Sequence, residues 1–301
     1  MEQELLVSVI VVAYNSAGYI LETLDSIRAQ TYANIELIIA DDASQDETMA
    51  IAESWLLTNG GRFSGAKAVR NPVNGGIAPN CNNGLRHAGG GWVKLIAADD
   101  MLLENCIADN VAFVSRQPET AVVFSGMDRV DENGKRIDRY FFPAHFFNMD
   151  TKAQLCALLH RNCLAAPAAF INRKVLEEVG GFDPVYPMME DLPMWIKLLD
   201  RGYKLGGMET VTILYRVHGT SIHGKKGKGK SGFLLASDAF DWAVRLPLAG
   251  KTSPGIYATV LIDILVSRMV RKPLVLKLFY PCFWAWSRFS PFTISRKPIS
   301  N

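Results

Sequence analysis

Five short strand-like runs, four of them apolar and separated by stretches of helical length, dominate the first part of the chain: Ser8–Ala13, Ile35–Ala40, the shorter mixed Ala66–Arg70, Val93–Ala97 and Ala121–Ser125. Runs this short, rich in Val and Ile, read as strands buried on both faces. The segments between them, about 17–29, 46–59, 78–88 and 104–116, have the length and patterning of helices. Neighbouring parallel strands need a crossover, and a helix supplies it. The alternation therefore predicts an α/β fold with a mostly parallel central sheet and helices on both faces. In such a sheet, ligands collect at the carboxyl ends of the strands.

Two acidic pairs stand at such ends. Asp41-Asp42 follows the second run and Asp99-Asp100 the fourth. Adjacent carboxylates suit a hard divalent cation, and the cation suits a diphosphate. Either pair alone could equally be a helix cap or a turn. Both pairs in one half, after comparable strands, favour a site.

After residue 125 the pattern changes. Asn133-Gly134 marks a hairpin turn, and Thr151–His160, Arg173–Val179 and Asp191–Arg201 look helical. Ala168–Ile171 and Thr210–Tyr215 read as further strands. Lys225–Lys230 is a basic, glycine-interleaved loop by composition. Helices are then expected near Phe233–Val244, Tyr257–Arg271 and Leu274–Trp286.

Charge is unevenly divided. Residues 217–301 carry 13 Lys and Arg against 3 Asp and Glu, whereas the rest carries 19 against 27. The acidic portion holds the candidate site, and the basic portion reads as an attachment surface. The five cysteines lack metal or disulfide spacing, which sets a reducing cytosol as the expectation. No secretion signal and no spanning helix are expected.

Six further pieces occur in a fixed order: Ser8-Val9-Ile10-Val11-Val12-Ala13-Tyr14-Asn15, Asp41-Asp42-Ala43-Ser44-Gln45-Asp46, Ala97-Ala98-Asp99-Asp100, Gly180-Gly181-Phe182-Asp183, Glu190-Asp191 and Tyr215-Arg216-Val217-His218. Together they resemble the family-2 inverting glycosyltransferases of GT-A fold, including the bacterial O-antigen and capsule sugar transferases. The resemblance spans about residues 5–222. It implies a GT-A domain over 1–222, with a nucleotide-binding half (1–125) and an acceptor half (126–222), followed by a basic, aromatic helical extension over 223–301.

The resemblance also implies roles. A nucleotide-sugar donor, UDP-linked by preference, would lie against Val12, Ala13, Tyr14 and Asn15, with Asp42 accepting a hydrogen bond from the base. Gly76 and the loop around it would touch the donor, as would the segment from Asn80 to Gly84. Asp99 would serve the ribose or metal, Asp100 the metal itself, and His218 the metal or diphosphate. Mn²⁺ and Mg²⁺ fit such ligands equally. The family often has Arg where Cys81 stands, so a phosphate or sugar contact would be either missing or supplied by Arg70, Arg86 or Lys94, and Arg216 is a further candidate for charge neutralisation. Asp191 would be the base that takes the acceptor hydroxyl proton, with Glu190 orienting it or binding acceptor.

Each role has a plainer counterpart in the residues themselves. Asp191 suits an N-cap ahead of Pro193. Asp46 suits a cap better than a ligand. Tyr14 could pack, Trp195 could stack on a sugar or sit in the core, and a lone histidine such as His218 is commonly structural. His223 with the lysine loop could form a lid or a solvated surface. The tail interleaves Arg268, Arg271, Lys272, Lys277 and Arg288 with Phe279, Tyr280, Phe283, Trp284, Trp286 and Phe289. That mixture suits an anionic membrane surface, with packing on the domain as the alternative and no nucleic-acid partner expected. A peripheral enzyme at the cytoplasmic membrane face, acting on a lipid-linked saccharide, is the resulting expectation. A sugar nucleotidyltransferase would need a basic glycine-rich loop after the first strand, which Ala13-Tyr14-Asn15-Ser16 is not. A non-catalytic nucleotide-sugar binder would lack the Glu190-Asp191 pair.

Overall fold

The computed structural model of the chain describes residues 4–219, 230–270 and 295–298. The first half alternates as its periodicity requires: β1 (Val7–Ala13), α1 (Ile20–Arg28), β2 (Ile35–Asp41), α2 (Thr48–Asn59), β3 (Gly65–Arg70), α3 (Ile77–Leu85) and β4 (Trp92–Ala97). Strand β1 lies between β2 and β4, parallel to both, and β3 extends β2 in parallel. Val7, Val9, Ile10 and Val11 are fully buried there. Each such side chain contributes about 1.5–3 kcal/mol by leaving water. Helix α3 reaches this layer because Gly84 has no side chain; a Cβ there would overlap Ile10.

The second half contains β5 (Met101–Leu102), α4 (Cys106–Arg116), β6 (Thr120–Val130), β7 (Arg136–Phe141), α5 (Ala144–Phe147), α6 (Thr151–His160), β8 (Ala169–Asn172), α7 (Arg173–Glu178), α8 (Asp191–Asp200) and β9 (Lys204–Arg216). Strand β8 inserts between β4 and β6 and runs antiparallel to both. Strands β6 and β7 form the expected hairpin, and β9 returns parallel to β6 while pairing antiparallel with β5. The parallel half thus passes into a mixed half along one sheet. Strands β6 and β9 run several residues beyond their apolar runs, because each is completed by a partner rather than by its own pattern.

Beyond residue 230 come α9 (Lys230–Phe240), a π-helical turn (Asp241–Arg245), α10 (Leu246–Thr252), α11 (Pro254–Val270) and β10 (Ser295–Pro298), which pairs with β7. Helices α10 and α11 pack against α6. Among the described residues, no helix is long and apolar enough to cross a membrane. The helix expected at Leu274–Trp286, the aromatic tail, His223 and most of the lysine loop lie outside the described residues.

Candidate active site

The carboxyl ends of β1, β2 and β4 are tied together by their own backbone. Ala13 O accepts from Asp42 N at 2.9 Å, and Val12 O accepts from Ala98 N at 3.1 Å. Asn80, buried on α3, donates to Ala40 O at 2.8 Å and to Ala13 O at 3.3 Å. Asn80 is therefore a strap beneath the site rather than a surface toward the donor. Asn15 and Ala43 both take positive φ, at 49° and 59°. That region is costly for a side-chain-bearing residue and persists where surroundings enforce it. Here Asn15 Oδ1 accepts from Gln45 N at 2.8 Å, and Asn15 N donates to Ser44 Oγ at 2.9 Å. The two turns lock each other, leaving the Tyr14 ring 48% exposed above them.

Asp41 is wholly buried and holds its own turn through Ser44 N at 3.0 Å and the Ser44 hydroxyl. Asp42 holds the next loop. Its carboxylate accepts from Asn71 Nδ2 at 2.8 Å, Gly75 N at 3.0 Å and Gly76 N at 2.8 Å. A carboxylate offers about four acceptor positions, so one on Oδ2 is left for a further N–H. Asp46 accepts from Ala17 N at 3.1 Å and Thr48 N at 3.0 Å. Burial pushes its pKa up, but the bonds from Thr48 and Ala17 outweigh that and hold it below the usual carboxylate range. It fills the capping role expected of it.

At the end of β4 the two aspartates diverge. Asp99 lies at the surface and its Oδ2 stands 2.8 Å from His218 Nε2. The His218 ring lies 4.8 Å from that of Tyr19. Asp100 is fully buried; its Oδ1 accepts from Arg216 N at 2.8 Å, and its Oδ2 has no hydrogen-bond partner. Burial, then the Asp99 charge, pushes Asp100 well above the usual carboxylate range. Asp100 is thus enclosed by β9, and Asp99, with its side chain 27% exposed, is the more open of the two, beside a largely buried His218.

The expectation for Arg216 is corrected. It is 1% exposed, and its guanidinium donates to Asp99 O at 2.9 Å, Glu132 O at 2.9 Å and Glu22 Oε2 at 2.5 Å, while lying 4.9 Å over the Tyr19 ring. It fixes the Asp99 turn and cannot also meet a phosphate. Lys94 is fully buried, with Nζ donating to Pro167 O at 2.5 Å and Ala169 O at 3.1 Å. It staples β4 to β8 and does not reach a donor. Its pKa is lowered by burial. Trp195 is in the core, edge-on to Phe124 at 5.0 Å, so it does not stack on a sugar. Cys81 is buried too. Arg70 is engaged by Ser44 O at 2.6 Å.

The acceptor-side pair opens α8. Asp191 is the first residue of the helix; its Oδ1 accepts from Leu192 N at 2.6 Å, while Oδ2 accepts from Asn162 Nδ2 at 3.0 Å. Asn162 is itself fixed by Leu164 N at 3.0 Å. No spacing or pattern in the sequence points to Asn162, because it meets Asp191 only through the fold. Glu190 is pushed up to about 8, by burial first and then by the Asp191 charge.

Two buried side chains connect these groups. Tyr215 is raised by burial and then by Asp100, Asp99 and Glu190, with Arg129 opposing. Cys81 is raised by burial and then by Glu190 and Asp42. The three acidic turns, from β2, from β4 and ahead of α8, thus surround common neighbours. The loop after β3 closes the same region, since Ala78 N donates to Pro187 O at 3.1 Å.

A family model described as Glycosyl transferase family 2 matches residues 8–180. The chain belongs to glycosyl transferase family 2. It is 28% identical over 225 residues to UDP-Glc:alpha-D-GlcNAc-diphosphoundecaprenol beta-1,3-glucosyltransferase WfaP of Escherichia coli, covering 74% of this chain and 82% of that one. It is 30% identical over 223 residues to the uncharacterized glycosyltransferase RC0461 of Rickettsia conorii, covering 71% of this chain and 34% of that one. The chain spans about a third of the length of several Rickettsia relatives that it matches. Among solved structures, S. aureus TarS in complex with UDP superposes with a TM-score of 0.57 at 20% identity, covering 80% of this chain and 73% of that one. The mannosyltransferase PcManGT from Pyrobaculum calidifontis, in complex with GDP-Man and Mn²⁺, gives 0.55 at 20% identity, covering 97% and 83%. The fold of this family member is GT-A.

Proposed function

We propose that this glycosyltransferase moves a sugar from a nucleotide-diphosphate donor, UDP-linked by preference, to a hydroxyl of a saccharide acceptor, with inversion at C1. The observation that best supports the reading is the bond from Ala78 N to Pro187 O at 3.1 Å, which ties the loop held by Asp42 to the segment that leads into Glu190 and Asp191. Donor-side and acceptor-side carboxylates would then serve one cleft. The nucleotide would rest on the β1 end, with its base over the Tyr14 ring and against the open acceptor position of Asp42. Asp191, held by Asn162, takes the proton as the acceptor oxygen attacks from the face opposite the leaving group. Glu190, whose pKa is raised by burial and then by the Asp191 charge, stands beside it.

The donor set fits Mg²⁺ or Mn²⁺. Among the described residues no group of three or more His, Cys, Asp or Glu is arranged to hold a metal unaided. A divalent ion of this kind is held by one or two protein groups together with substrate phosphates. Asp99 and His218 form such a pair, and Asp100 beneath them has an oxygen with no hydrogen-bond partner. The ion would neutralise charge on the departing diphosphate.

The acceptor is proposed to be lipid-linked, as the name of the WfaP relative describes for that enzyme, in surface-polysaccharide synthesis. The basic, aromatic residues of 271–301 would hold the enzyme at the inner face of the membrane.

Nucleotide release from UDP-, GDP- and TDP-sugars, with Mn²⁺ or EDTA and a lipid-diphosphate-sugar acceptor, tests the reading. Release from a UDP-sugar that needs both acceptor and metal is expected. Release confined to a GDP- or TDP-sugar would overturn the base assignment, and equal release in EDTA the metal. Tight nucleotide binding with no transfer to any acceptor would point to a binder.

A further inference from the structure

Helices α9 to α11 lie outside the part of the chain that matches the family model. We infer that they brace the candidate base, with Arg245 and Phe240 as positioning residues. The inference rests on the reading of Asp191 as the base.

Two contacts carry it, one on each side of Asp191. Arg245 is 7% exposed and inserts its guanidinium at the end of α6. Nε donates to Leu159 O at 2.5 Å, and Nη2 donates to His160 O at 2.6 Å. The last carbonyls of a helix have no partner within it, and a cation is favoured there. The guanidinium is itself held by Asp241 at 3.1 Å and Asp263 at 2.7 Å, from the π-helical turn and α11. Two residues beyond His160 stands Asn162, whose amide holds Asp191 Oδ2. The extension therefore fixes the helix end from which the Asp191 partner departs.

On the other side, the Phe240 ring meets Tyr186 edge-on at 5.1 Å. Phe240 is 1% exposed and Tyr186 is 5% exposed. Tyr186 O accepts from Met189 N at 2.9 Å, which sets the turn leading into Glu190 and Asp191. The segments before and beside the base are thus pinned by one helical unit from the far end of the chain. A displacement of about 1 Å at a reacting group can cost on the order of 100-fold in rate, so loosening either pin should be read in turnover.

The test uses the full chain carrying Arg245→Lys, Phe240→Leu, Asn162→Ala or the Arg245→Lys/Asn162→Ala pair. Turnover is read with the UDP-sugar and lipid-diphosphate-sugar acceptor, folding with UDP binding, and local opening with hydrogen exchange. Arg245→Lys keeps the charge but loses the fork. We expect kcat to fall at least 10-fold in both extension variants, with donor KM within twofold. Exchange should quicken at 161–165 and 183–190 but not in β1 or β2. The paired variant should lose less than the product of its single losses, since both substitutions act through one loop. A lower melting temperature with unchanged kcat, or faster exchange spread evenly over the chain, would overturn the inference. If Arg245→Lys does not fold, Phe240→Leu carries the same readouts. Full activity in Asp191→Asn would instead remove the base assignment, which separates the two failures.

Discussion

Gly76 lies against the Pro187 segment, and its replacement by alanine tests that approach. The residue has φ 92° and ψ 179°, a region open essentially to glycine alone, at a cost of about 1–3 kcal/mol for other residues. A Cβ at this position would stand 2.7 Å from Pro187 O and 3.0 Å from Pro187 Cβ. The carbonyl cannot yield freely because Ala78 N donates to it. The loop can escape only by moving, which breaks the bond from Gly76 N to Asp42; a bond to a charged group contributes about 1.5–3 kcal/mol. Whichever route costs less sets the loss, so Gly76→Ala should destabilise the protein by about 1–3 kcal/mol. Urea unfolding should show a lower midpoint at unchanged slope, and UDP binding should weaken with it. Gly75→Ala is the control: its Cβ would meet Pro79 Cβ at 3.1 Å, its N–H to Asp42 survives, and its effect should be clearly smaller. Unfolding of Gly76→Ala within about 0.5 kcal/mol of wild type, or equal losses in the two variants, would refute the reasoning.

Two further predictions concern buried carboxyls. Asp42→Ala leaves Asn71, Gly75 and Gly76 without their shared acceptor; at about 1–3 kcal/mol for a stranded buried donor, UDP affinity measured by calorimetry should fall at least 10-fold. Glu190 holds its proton up to about pH 8 in the folded protein, above the ordinary 4.5. Between those values the native state binds more protons than the unfolded chain, so its contribution to stability falls as pH rises. Urea unfolding at pH 5 and pH 8.5 should show that decline, and Glu190→Gln should lose this part of it; an identical pH dependence in the variant would contradict the assignment.

Much of this architecture is written in local pattern. The strands of the first half are short apolar runs, and the acidic turns follow them directly, so period and position sufficed. Strand β8 was expected, but its antiparallel insertion between β4 and β6 is a pairing choice between segments far apart, and no local period encodes that. The same limit explains the residues that changed role. Arg216 sits beside His218 in sequence, yet Glu22 and Glu132, which hold it, are remote. Lys94 did carry a signal: a lysine within the apolar run Trp92–Ala97 must either snorkel or find buried acceptors, and the carbonyls at 167 and 169 are those acceptors. Asp42 stands out in the sequence at a strand end, but its three loop donors do not. The sequence likewise contains nothing to distinguish Asn162 from any polar residue after a helix.

The most direct test of the central claim compares Asp191→Asn with wild type in sugar transfer and in donor binding. Asparagine preserves the shape at the start of α8 but cannot accept the acceptor's proton. Removing a general base typically costs 10²–10⁴-fold. The account predicts UDP-sugar affinity within about twofold of wild type, with transfer reduced by roughly that general-base factor. Near-normal transfer by Asp191→Asn would contradict it and require another group to activate the acceptor.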